Sequence, residues 1–221
     1  MTVRAVVFDL WETIVDFVPN EADALNRRVA ERLGVTYEQF LDVWYTDEAM
    51  RARNTGPLAA CFGAACTSLR VEADVDELVR WREDLTRSAL VARDGLLETL
   101  VELGERGVGV GLISNCTEEV ARVWPDTAFA RYFDVAVFSA TVGLAKPDPA
   151  IYLRAAAALG VEPHECVFVG DGANDELRGA CDTGMTPVLI HRDGEDPYWE
   201  DLRDWDGLRI TSLPQVLELV P

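Results

Sequence analysis

Residues 3–13 read Val-Arg-Ala-Val-Val-Phe-Asp-Leu-Trp-Glu-Thr, and this stretch decides the fold. Apart from Arg4, its first part is a short apolar run, and Asp9 interrupts the run. A run of this length that is almost wholly apolar is typical of a parallel strand that is covered on both faces of its sheet. We therefore predict a buried strand over residues 3–10 with the Asp9 carboxylate near its carboxyl end.

Similar apolar runs recur along the chain, with helical patterns between them. They lie at residues 108–114, 135–139, 166–170 and 187–191. The helical pattern at residues 96–106 is followed by Gly107, which suits a helix C-terminus. Asp148 and Pro149 suit a helix start, and Gly160 suits the end of the same helix. This alternation predicts an α/β fold with a doubly wound parallel sheet.

The long segment after the first strand breaks the alternation, because it shows helical patterns only and is too long for an ordinary connection. Residues 21–33 place apolar side chains on one helical face. Thr36 and Gln39 resemble a capping box, and residues 75–90 form a further helical stretch. The predicted domains are therefore an inserted all-helical cap, residues 17–88, and a core in two parts, residues 1–16 and 89–221.

The composition is that of a compact globular protein. The chain has 221 residues, of which 49% are hydrophobic, and a formal net charge of -19. This charge argues against binding to nucleic acid or to an anionic membrane surface, because the phosphates of either would be repelled. Residues 193–206, rich in acidic residues and tryptophan, are expected to make a surface excursion before a last strand.

The cysteine usage and the N-terminal segment predict a cytoplasmic protein. The 5 cysteines include no C-x-x-C pair and there are only 2 histidines, so we expect reduced thiols and no zinc site. The apolar run before Asp9 is too short for a signal peptide, and no run approaches the ~18 residues that span a bilayer. We expect a monomer or a homodimer.

Polar side chains follow the predicted strands where each one ends. Asp9 follows the first, Ser114 and Asn115 the second, Lys146 lies beyond the third, and Asp171 follows the fourth. Ligands of an open parallel sheet bind outside these carboxyl ends. A carboxylate can attack phosphorus where a metal ion offsets the repulsion, and a hydroxyl and a lysine can hold the phosphoryl oxygens. Several carboxylates together suit Mg²⁺, and Lys146 is the only lysine among 20 lysine and arginine residues.

Four segments of the chain resemble, in order, the four motifs of the haloacid dehalogenase-like (HAD) hydrolase superfamily. Residues 8–13 resemble the first motif, which usually reads D-x-D-G-T, and residues 112–115 resemble the second. Lys146-Pro147 resembles the third, and residues 169–175 carry the acidic pattern of the fourth. The helical insertion after the first motif is similar to the type-1 cap of this superfamily. The resemblance covers essentially the whole chain and implies a Rossmann-like core.

The resemblance also implies a mechanism and a cofactor. Asp9 would form an aspartyl-phosphate from a small phosphorylated metabolite, and water would then hydrolyse it. Ser114, Asn115 and Lys146 would hold the phosphoryl group. Mg²⁺ would be bound by four groups, namely the carboxylates of Asp9, Asp171 and Asp175 and the backbone carbonyl of Trp11.

Trp11 stands where the first motif usually has its second aspartate. In phosphatases of the superfamily, that aspartate protonates the leaving group and later activates the attacking water. An indole cannot exchange a proton at neutral pH, and general acid–base catalysis is typically worth ~10²–10⁴ in rate. Trp11 therefore leaves four interpretations of the chain open.

The first interpretation is a phosphatase whose leaving groups need little protonation, such as those of acyl or anomeric phosphates. In the second, another acid replaces the missing aspartate, and the candidates are Glu12, Asp16, Asp42 and Asp47. The third is a protein similar to the 2-haloacid dehalogenases, which carry an aromatic residue here, release halide without a proton and use no metal. The fourth is a catalytically weak pseudo-hydrolase that binds a metabolite. The Gly170-Asp171 pair favours phosphate over halide, because those dehalogenases lack it.

The predicted cap contains four aromatic residues and two arginines of interest. The aromatic residues are expected to pack within the cap: Phe40, Trp44, Tyr45 and Phe62. Arg51 and Arg53 are cap cations that would suit a second anionic group on a substrate.

Overall fold

The protein is built on a parallel sheet of six strands. The computed structural model describes residues 2–192, 202 and 205–221. The strands are β1 (Ala5–Phe8), β2 (Gly109–Ser114), β3 (Val135–Phe138), β4 (Cys166–Gly170), β5 (Thr186–Ile190) and β6 (Leu208–Ile210). They lie in the order β3-β2-β1-β4-β5-β6, and every neighbouring pair is parallel. This topology confirms the predicted α/β class, and each of the predicted apolar runs overlaps a strand.

A series of helices follows β1 before the chain returns to the sheet. They are α1 (Pro19–Leu33), α2 (Tyr37–Trp44), α3 (Asp47–Thr55), α4 (Leu58–Leu69) and α5 (Val75–Ala89). Their buried apolar side chains, such as Val29, Phe40 and Leu78, form a cluster of their own. The fold therefore contains the predicted all-helical insertion. Its predicted limits at residues 17 and 88 stay a prediction, and α5 itself continues to Ala89.

Local sequence signals explain where the first of these helices begin and end. Gly34 ends α1 in the left-handed conformation, at a φ of 69°, which glycine adopts at little cost. Thr36 starts α2 with the predicted capping box, since its hydroxyl accepts a hydrogen bond from Gln39 N and its own N–H donates to the Gln39 side chain. The start of α3 was not predicted; Thr46 Oγ1 caps it by accepting a hydrogen bond from Ala49 N at 3.1 Å.

The remaining helices cover both faces of the sheet. They are α6 (Leu96–Glu105), α7 (Glu118–Val123), α8 (Ser139–Val142), α9 (Pro149–Leu159) and α10 (Glu176–Asp182). Short 3₁₀ turns lie at Trp124–Asp126, Ala130–Tyr132, Pro163–Glu165, Ala173–Asp175 and Leu213–Glu218. Successive side chains of β1 point to opposite faces, so Val6 packs in one apolar cluster with Leu100 of α6, and Val7 packs in another with Ile151 of α9.

The carboxyl ends of β1 and β4 lie where the strand order reverses. The chain places β2 and β3 on one side of β1, and β4, β5 and β6 on the other. A crevice opens at such a point, because the connections leave it in opposite directions. Asp9 follows β1 and donates its backbone N–H to Val169 O at 2.8 Å, while Asp171 follows β4. The sheet therefore brings these two predicted site residues to neighbouring positions.

Three further features concern the chain as a whole. Within the described part of the chain, no helix combines the length and the apolar character that crossing a membrane requires. All five cysteines are free thiols. Most of residues 193–206, predicted as a surface excursion, lie outside the described residues.

Candidate active site

A cavity of about 510 Å³ lies at the carboxyl ends of β1 and β4, and we call it the Asp9 cavity. Five of the predicted site residues line it: Asp9, Trp11, Asn115, Lys146 and Asp171. Other lining residues come from the chain after β1 and from the start of α10, among them Glu12, Phe17 and Glu176. The fold therefore assembles in one place residues that are far apart in the sequence.

The ammonium of Lys146 lies between two buried carboxylates. Its Nζ donates hydrogen bonds to Asp9 Oδ1 and to Glu176 Oε2, and the Lys146 side chain is only 3% exposed. Burial alone would lower the pKa of Lys146, but the Asp9 and Glu176 carboxylates outweigh burial and raise the pKa above its ordinary value. Lys146 therefore stays charged at neutral pH and can offset the charge of a carboxylate nucleophile and of a bound phosphoryl group.

Glu176, the first residue of α10, is a site residue that was not predicted from the sequence. Its side chain is fully buried, and its Oε1 accepts a hydrogen bond from Gly172 N at 2.9 Å. Gly170 leaves room for this carboxylate, because a Cβ there would lie 2.1 Å from Glu176 Oε1. Burial raises the pKa of Glu176 well above its ordinary value against the opposing effect of Lys146, and the charge of Asp9 adds to the rise.

The predicted ligand Asp175 lies beside this group of carboxylates. Asn174 and Asp175 both adopt the left-handed backbone conformation, at φ values of 54° and 56°, and both are exposed. After this turn Glu176 faces the Asp9 cavity. Asp175 and Glu176 both fit an acidic sequence pattern. The left-handed conformation of the turn leaves Asp175 exposed and brings Glu176 to the Asp9 cavity.

Three carboxylates at this edge of the sheet could hold a metal ion. One oxygen atom from each of Asp9, Asp171 and Glu176 lies within 4.8 Å of the other two. When ionised, these groups carry three negative charges against the single positive charge of Lys146. Hard divalent cations prefer oxygen-rich and negatively charged donor sets of this kind. The residues present therefore fit Mg²⁺.

Ser114 and Asn115 both follow from β2 but have different partners. The Ser114 hydroxyl is fully buried, does not line the Asp9 cavity, and makes no geometric hydrogen bond within the described residues. Asn115 Nδ2 donates to the Lys146 carbonyl and Asn115 Oδ1 accepts from Lys146 N, both at 2.8 Å. The Asn115 side chain therefore positions Lys146, and a contact of Asn115 with phosphate is left to its backbone N–H.

Trp11 lines both the Asp9 cavity and a second cavity of about 240 Å³, which we call the cap cleft. The cap cleft lies between the cap helices and the core, and its lining includes Arg53, Arg82 and Glu119. The Trp11 ring packs edge-on against Phe17, with ring centroids 6.2 Å apart. Phe17 and Asn115 also line both cavities. The two cavities are therefore neighbours.

Two candidates for the missing acid, Glu12 and Asp16, are held by arginines. Glu12 lines the Asp9 cavity, but its carboxylate accepts hydrogen bonds from Phe17 N at 2.6 Å and from Arg93 Nη2 at 2.7 Å. Burial would raise the pKa of Asp16, but Arg93 and Arg192 outweigh burial and lower the pKa below its ordinary value. Asp16 is therefore ionised at neutral pH and has no proton to donate.

The other two candidates, Asp42 and Asp47, are exposed and line neither cavity. Glu12 is thus the one candidate of the four that lines the Asp9 cavity, and its carboxyl oxygens are hydrogen-bonded to Phe17 N and Arg93 Nη2.

The cap aromatic residues fall into two groups, three that are buried and one that is exposed. Phe40, Trp44 and Phe62 are buried and stack on one another, with the Trp44 and Phe62 ring centroids 4.6 Å apart. These three rings therefore pack within the cap. Tyr45 is 47% exposed and lines the cap cleft.

Comparison with known proteins gives the relatives of the chain. The family model of the haloacid dehalogenase-like hydrolases matches residues 3–180. The chain is 31% identical to a phosphoglycolate phosphatase of Xanthomonas campestris over 97% of this chain and 95% of that protein. It is 34% identical to a glyceraldehyde 3-phosphate phosphatase of Methanopyrus kandleri, over 55% of this chain and only about half, 54%, of that protein. The solved structure of a 2-haloacid dehalogenase from Pseudomonas syringae matches with a TM-score of 0.71 and 25% identity, over 99% of this chain and 98% of that chain.

Replacing Lys146 by methionine should destabilise the protein by about 3–5 kcal/mol, because two buried carboxylates lose their cation. In EDTA, the loss should be larger at pH 8 than at pH 5. The reason is that the pKa of Glu176 is raised, so the carboxyl takes up a proton as the pH falls and no longer needs the cation. Urea unfolding, followed by tryptophan fluorescence at the two pH values, measures both effects. The double variant with Glu176→Gln should recover part of the lost stability, and an equal loss in the single and double variants would contradict this charge argument.

Proposed function

The chain belongs to the haloacid dehalogenase-like hydrolase family, and we propose that it hydrolyses a small phosphorylated metabolite through a covalent intermediate on Asp9. The observation that carries the proposal is the pair of carboxylates, Asp171 and Glu176, beside Asp9. Attack by one anion on another needs a cation, which such a group can hold, whereas attack on carbon does not. Two of the relatives named above are phosphatases, which supports the same class of substrate for this chain.

In the first step, an Asp9 carboxylate oxygen attacks phosphorus, and the bond from phosphorus to the leaving-group oxygen breaks with its electron pair on that oxygen. Lys146, held against Asp9, offsets the charge of the two reacting groups. The Ser114 hydroxyl and the backbone N–H of Asn115 donate hydrogen bonds to the phosphoryl oxygens. Donors that are already in place stabilise the transition state because they need no reorientation.

In the second step, water attacks the phosphorus of the aspartyl-phosphate. The bond from phosphorus to the Asp9 oxygen breaks, inorganic phosphate leaves, and the Asp9 carboxylate is restored. A carboxylate is a stable anion, so this step proceeds without an acid to protonate the leaving group. The attacking water gives its proton to a phosphoryl oxygen, because Trp11 cannot accept it. Trp11 in place of the aspartate therefore removes an acid from the first step and a base from the second.

We assign Mg²⁺ as the cofactor, held by the carboxylates of Asp9, Asp171 and Glu176 with the backbone carbonyl of Trp11. When bound, the ion supplies a Lewis acid that reduces the repulsion between the nucleophile and the phosphoryl oxygens. Asp175 is exposed and lies outside the group of three carboxylates, so Glu176 takes its place in the proposed ligand set.

Trp11 restricts the leaving group. An alkoxide needs a proton as it departs, and Trp11 has none to give. Glu12 and Asp16 are bound by Arg93 as carboxylates. We therefore assign acyl phosphates and anomeric sugar phosphates, whose leaving groups need little protonation, as the best substrates.

Two observations favour a second candidate function, hydrolytic dehalogenation. These are the aromatic Trp11 in the wall of the Asp9 cavity and the similarity to the Pseudomonas syringae dehalogenase. In that reaction Asp9 would attack carbon, halide would leave without a proton, and water would hydrolyse the ester. The Asp171 and Glu176 carboxylates have no part in it, so we place it second. Binding of a metabolite without turnover is the third candidate.

We propose the same domain division as the sequence predicts, with residues 17–88 as the cap and residues 1–16 and 89–221 as the core. The apolar cluster of the cap helices is distinct from the two clusters that cover the sheet, which supports this division.

Phosphate release from a panel of phosphorylated metabolites tests the proposed function. With Mg²⁺ we expect turnover that is fastest for acetyl phosphate and for a sugar 1-phosphate, and with EDTA we expect none. Asp9→Asn should lower kcat about 10³-fold or more while the protein stays folded, because the nucleophile is lost while the shape of the side chain is kept. Substantial turnover by this variant would remove Asp9 as the nucleophile. If no phosphate is released from any member of the panel and halide is released from 2-haloacids in EDTA, dehalogenation is established. If neither phosphate nor halide is released, binding without turnover remains.

A pair of adjacent variants tests the proposed metal ligands. Glu176→Gln should raise the Mg²⁺ concentration for half-maximal activity by about 10-fold or more, because an amide is a weaker ligand than a carboxylate. Asp175→Asn removes the same charge at the neighbouring exposed position and should shift that concentration by less than about twofold. Initial rates with acetyl phosphate over a Mg²⁺ titration provide the measurement. A large shift in Asp175→Asn with none in Glu176→Gln would restore the ligand set predicted from the sequence.

Trp11→Asp should speed the hydrolysis of unactivated alkyl phosphates by about 10²-fold, because it supplies an acid for the leaving group. The rate with acetyl phosphate should change much less. Trp11→Asn is the matched control, since it opens the same space without a titratable group. The ratio of kcat/KM for an alkyl phosphate to that for acetyl phosphate is the quantity to compare. The same gain in both variants would show that space, and not proton transfer, limits the natural enzyme.

A further inference from the structure

We propose that Glu12 and Arg93 are positioning residues, which together clamp the turn of residues 12–17 and so hold Trp11 in place for the reaction at Asp9. We call this turn the Glu12 turn. The inference rests on the proposed phosphatase function, in which the Trp11 carbonyl is a metal ligand and the Trp11 ring borders the substrate. Trp11 directly precedes the Glu12 turn and lines both the Asp9 cavity and the cap cleft. Whatever fixes the position of Trp11 therefore acts on both cavities.

Glu12 adopts a backbone conformation that is unfavourable for a residue with a side chain. Its φ is 56°, in the left-handed region, where a Cβ is crowded and glycine fits at little cost. The first motif usually has glycine at this position, and this chain has glutamate. Because the peptide group is planar, the φ of Glu12 also sets the orientation of the Trp11 carbonyl relative to the chain that follows. A strained conformation of this kind persists only where neighbouring groups hold it.

The carboxylate of Glu12 provides the first part of this support. Its Oε1 accepts a hydrogen bond from Phe17 N at 2.6 Å, and its Oε2 accepts one from Arg93 Nη2 at 2.7 Å. The bond with Phe17 N closes the Glu12 turn, and a glycine has no side chain that could form it. The Phe17 ring in turn packs against the Trp11 ring, with centroids 6.2 Å apart. The Glu12 side chain therefore holds the conformation of its own residue and places the aromatic neighbour of Trp11.

The guanidinium of Arg93 provides the second part. It donates hydrogen bonds to the Glu12 carbonyl, to the Glu12 carboxylate and to Asp16 Oδ1, and its side chain is only 12% exposed. The backbone N–H of Arg93 donates to Ile14 O at 2.9 Å. Hydrogen bonds between charged groups are short and hold a defined geometry. Arg93 therefore fixes the Glu12 turn at several points, and it does so from the segment in which the chain returns from the helical insertion.

The position of the Trp11 ring can be measured without substrate or metal. The protein is labelled with 5-fluorotryptophan, and the Trp11 resonance in the fluorine NMR spectrum is the one that is missing from Trp11→Phe. In EDTA we expect Glu12→Ala and Arg93→Gln to shift or broaden this resonance, because the clamp is lost, and to leave distant tryptophan resonances in place. A Trp11 resonance that stays in place in both folded variants would overturn the inference.

Arg106→Gln is the matched control for Arg93→Gln. Arg106 also holds a carboxylate and a backbone carbonyl, with its Nε 2.8 Å from Glu102 Oε1 and its Nη1 2.9 Å from Leu217 O, but it lines neither cavity. This variant should leave the Trp11 resonance and kcat unchanged at a temperature where its melting curve shows it to be folded. An equal effect of the two arginine variants on the Trp11 resonance would contradict a clamp on the Glu12 turn.

Two substitutions of Glu12 separate the clamp from a role in proton transfer. Glu12→Gly and Glu12→Ala both remove the carboxylate, but only glycine accepts the left-handed conformation at little cost. With acetyl phosphate we expect Glu12→Ala to lower kcat by about 10- to 100-fold, since a misplacement of about 1 Å can cost about 10²-fold in rate, and Glu12→Gly to lower kcat less. If Glu12 were instead the acid that replaces the missing aspartate, both variants would lose the same factor, and they would lose it with alkyl phosphates and not with acetyl phosphate. That outcome would overturn the inference.

The two kinds of measurement separate this inference from the function on which it rests. If the wild-type protein releases phosphate and the Trp11 resonance stays in place in Glu12→Ala and Arg93→Gln, the inference fails and the phosphatase stands. If the wild-type protein hydrolyses no substrate of the phosphate-release panel, the phosphatase proposal fails, and the role of the clamp in the reaction fails with it.

Discussion

The Lys146 ammonium, bonded to Asp9 and Glu176, is the interaction on which the rest of the site depends. Buried carboxylates repel one another and tend to take up protons, so a cation must stand among them if they are to remain ionised. The three residues come from the chain after β3, β1 and β4, and Asn115 after β2 fixes the Lys146 backbone. One charge can meet all of these segments only where the carboxyl ends of parallel strands converge. The strand order therefore brings the charged residues of the site together.

The acids near Trp11 in the sequence join two segments of the chain. Arg93 contacts both Glu12 and Asp16, and its backbone N–H donates to Ile14 O at 2.9 Å. An isolated bridge from Val15 to residue 92 joins the same two segments. These are the segments by which the chain leaves the core for the helical insertion and returns from it. Ion pairs that join the two segments through Arg93 stabilise the position of the helical insertion.

Much of the architecture follows from local patterns, because buried strands and capped helices leave signals within a few residues of themselves. The convergence of strand ends then predicts the contact between distant residues such as Asp9 and Lys146. That Glu176 lines the Asp9 cavity while Asp175 is exposed could not be predicted, since adjacent acids differ only through the backbone conformation of the turn that contains them. The role of Arg93 was equally hidden, because its partners lie far away in the sequence. That Arg53 is buried and Arg51 exposed could not be predicted while the limits of α3 were unknown.

The replacement of an acid by Trp11 has an energetic cost that the proposed mechanism must meet elsewhere. A lost general acid costs ~10²–10⁴ in rate, which corresponds to about 2.7–5.5 kcal/mol. A leaving group that departs without a proton avoids most of this cost. Binding energy from a part of the substrate that does not react can also hold the phosphoryl group in line with its nucleophile and so lower the barrier. Trp11 lines both cavities, so in the proposed mechanism the ring that withholds a proton from the leaving group also shapes the space in which the substrate binds.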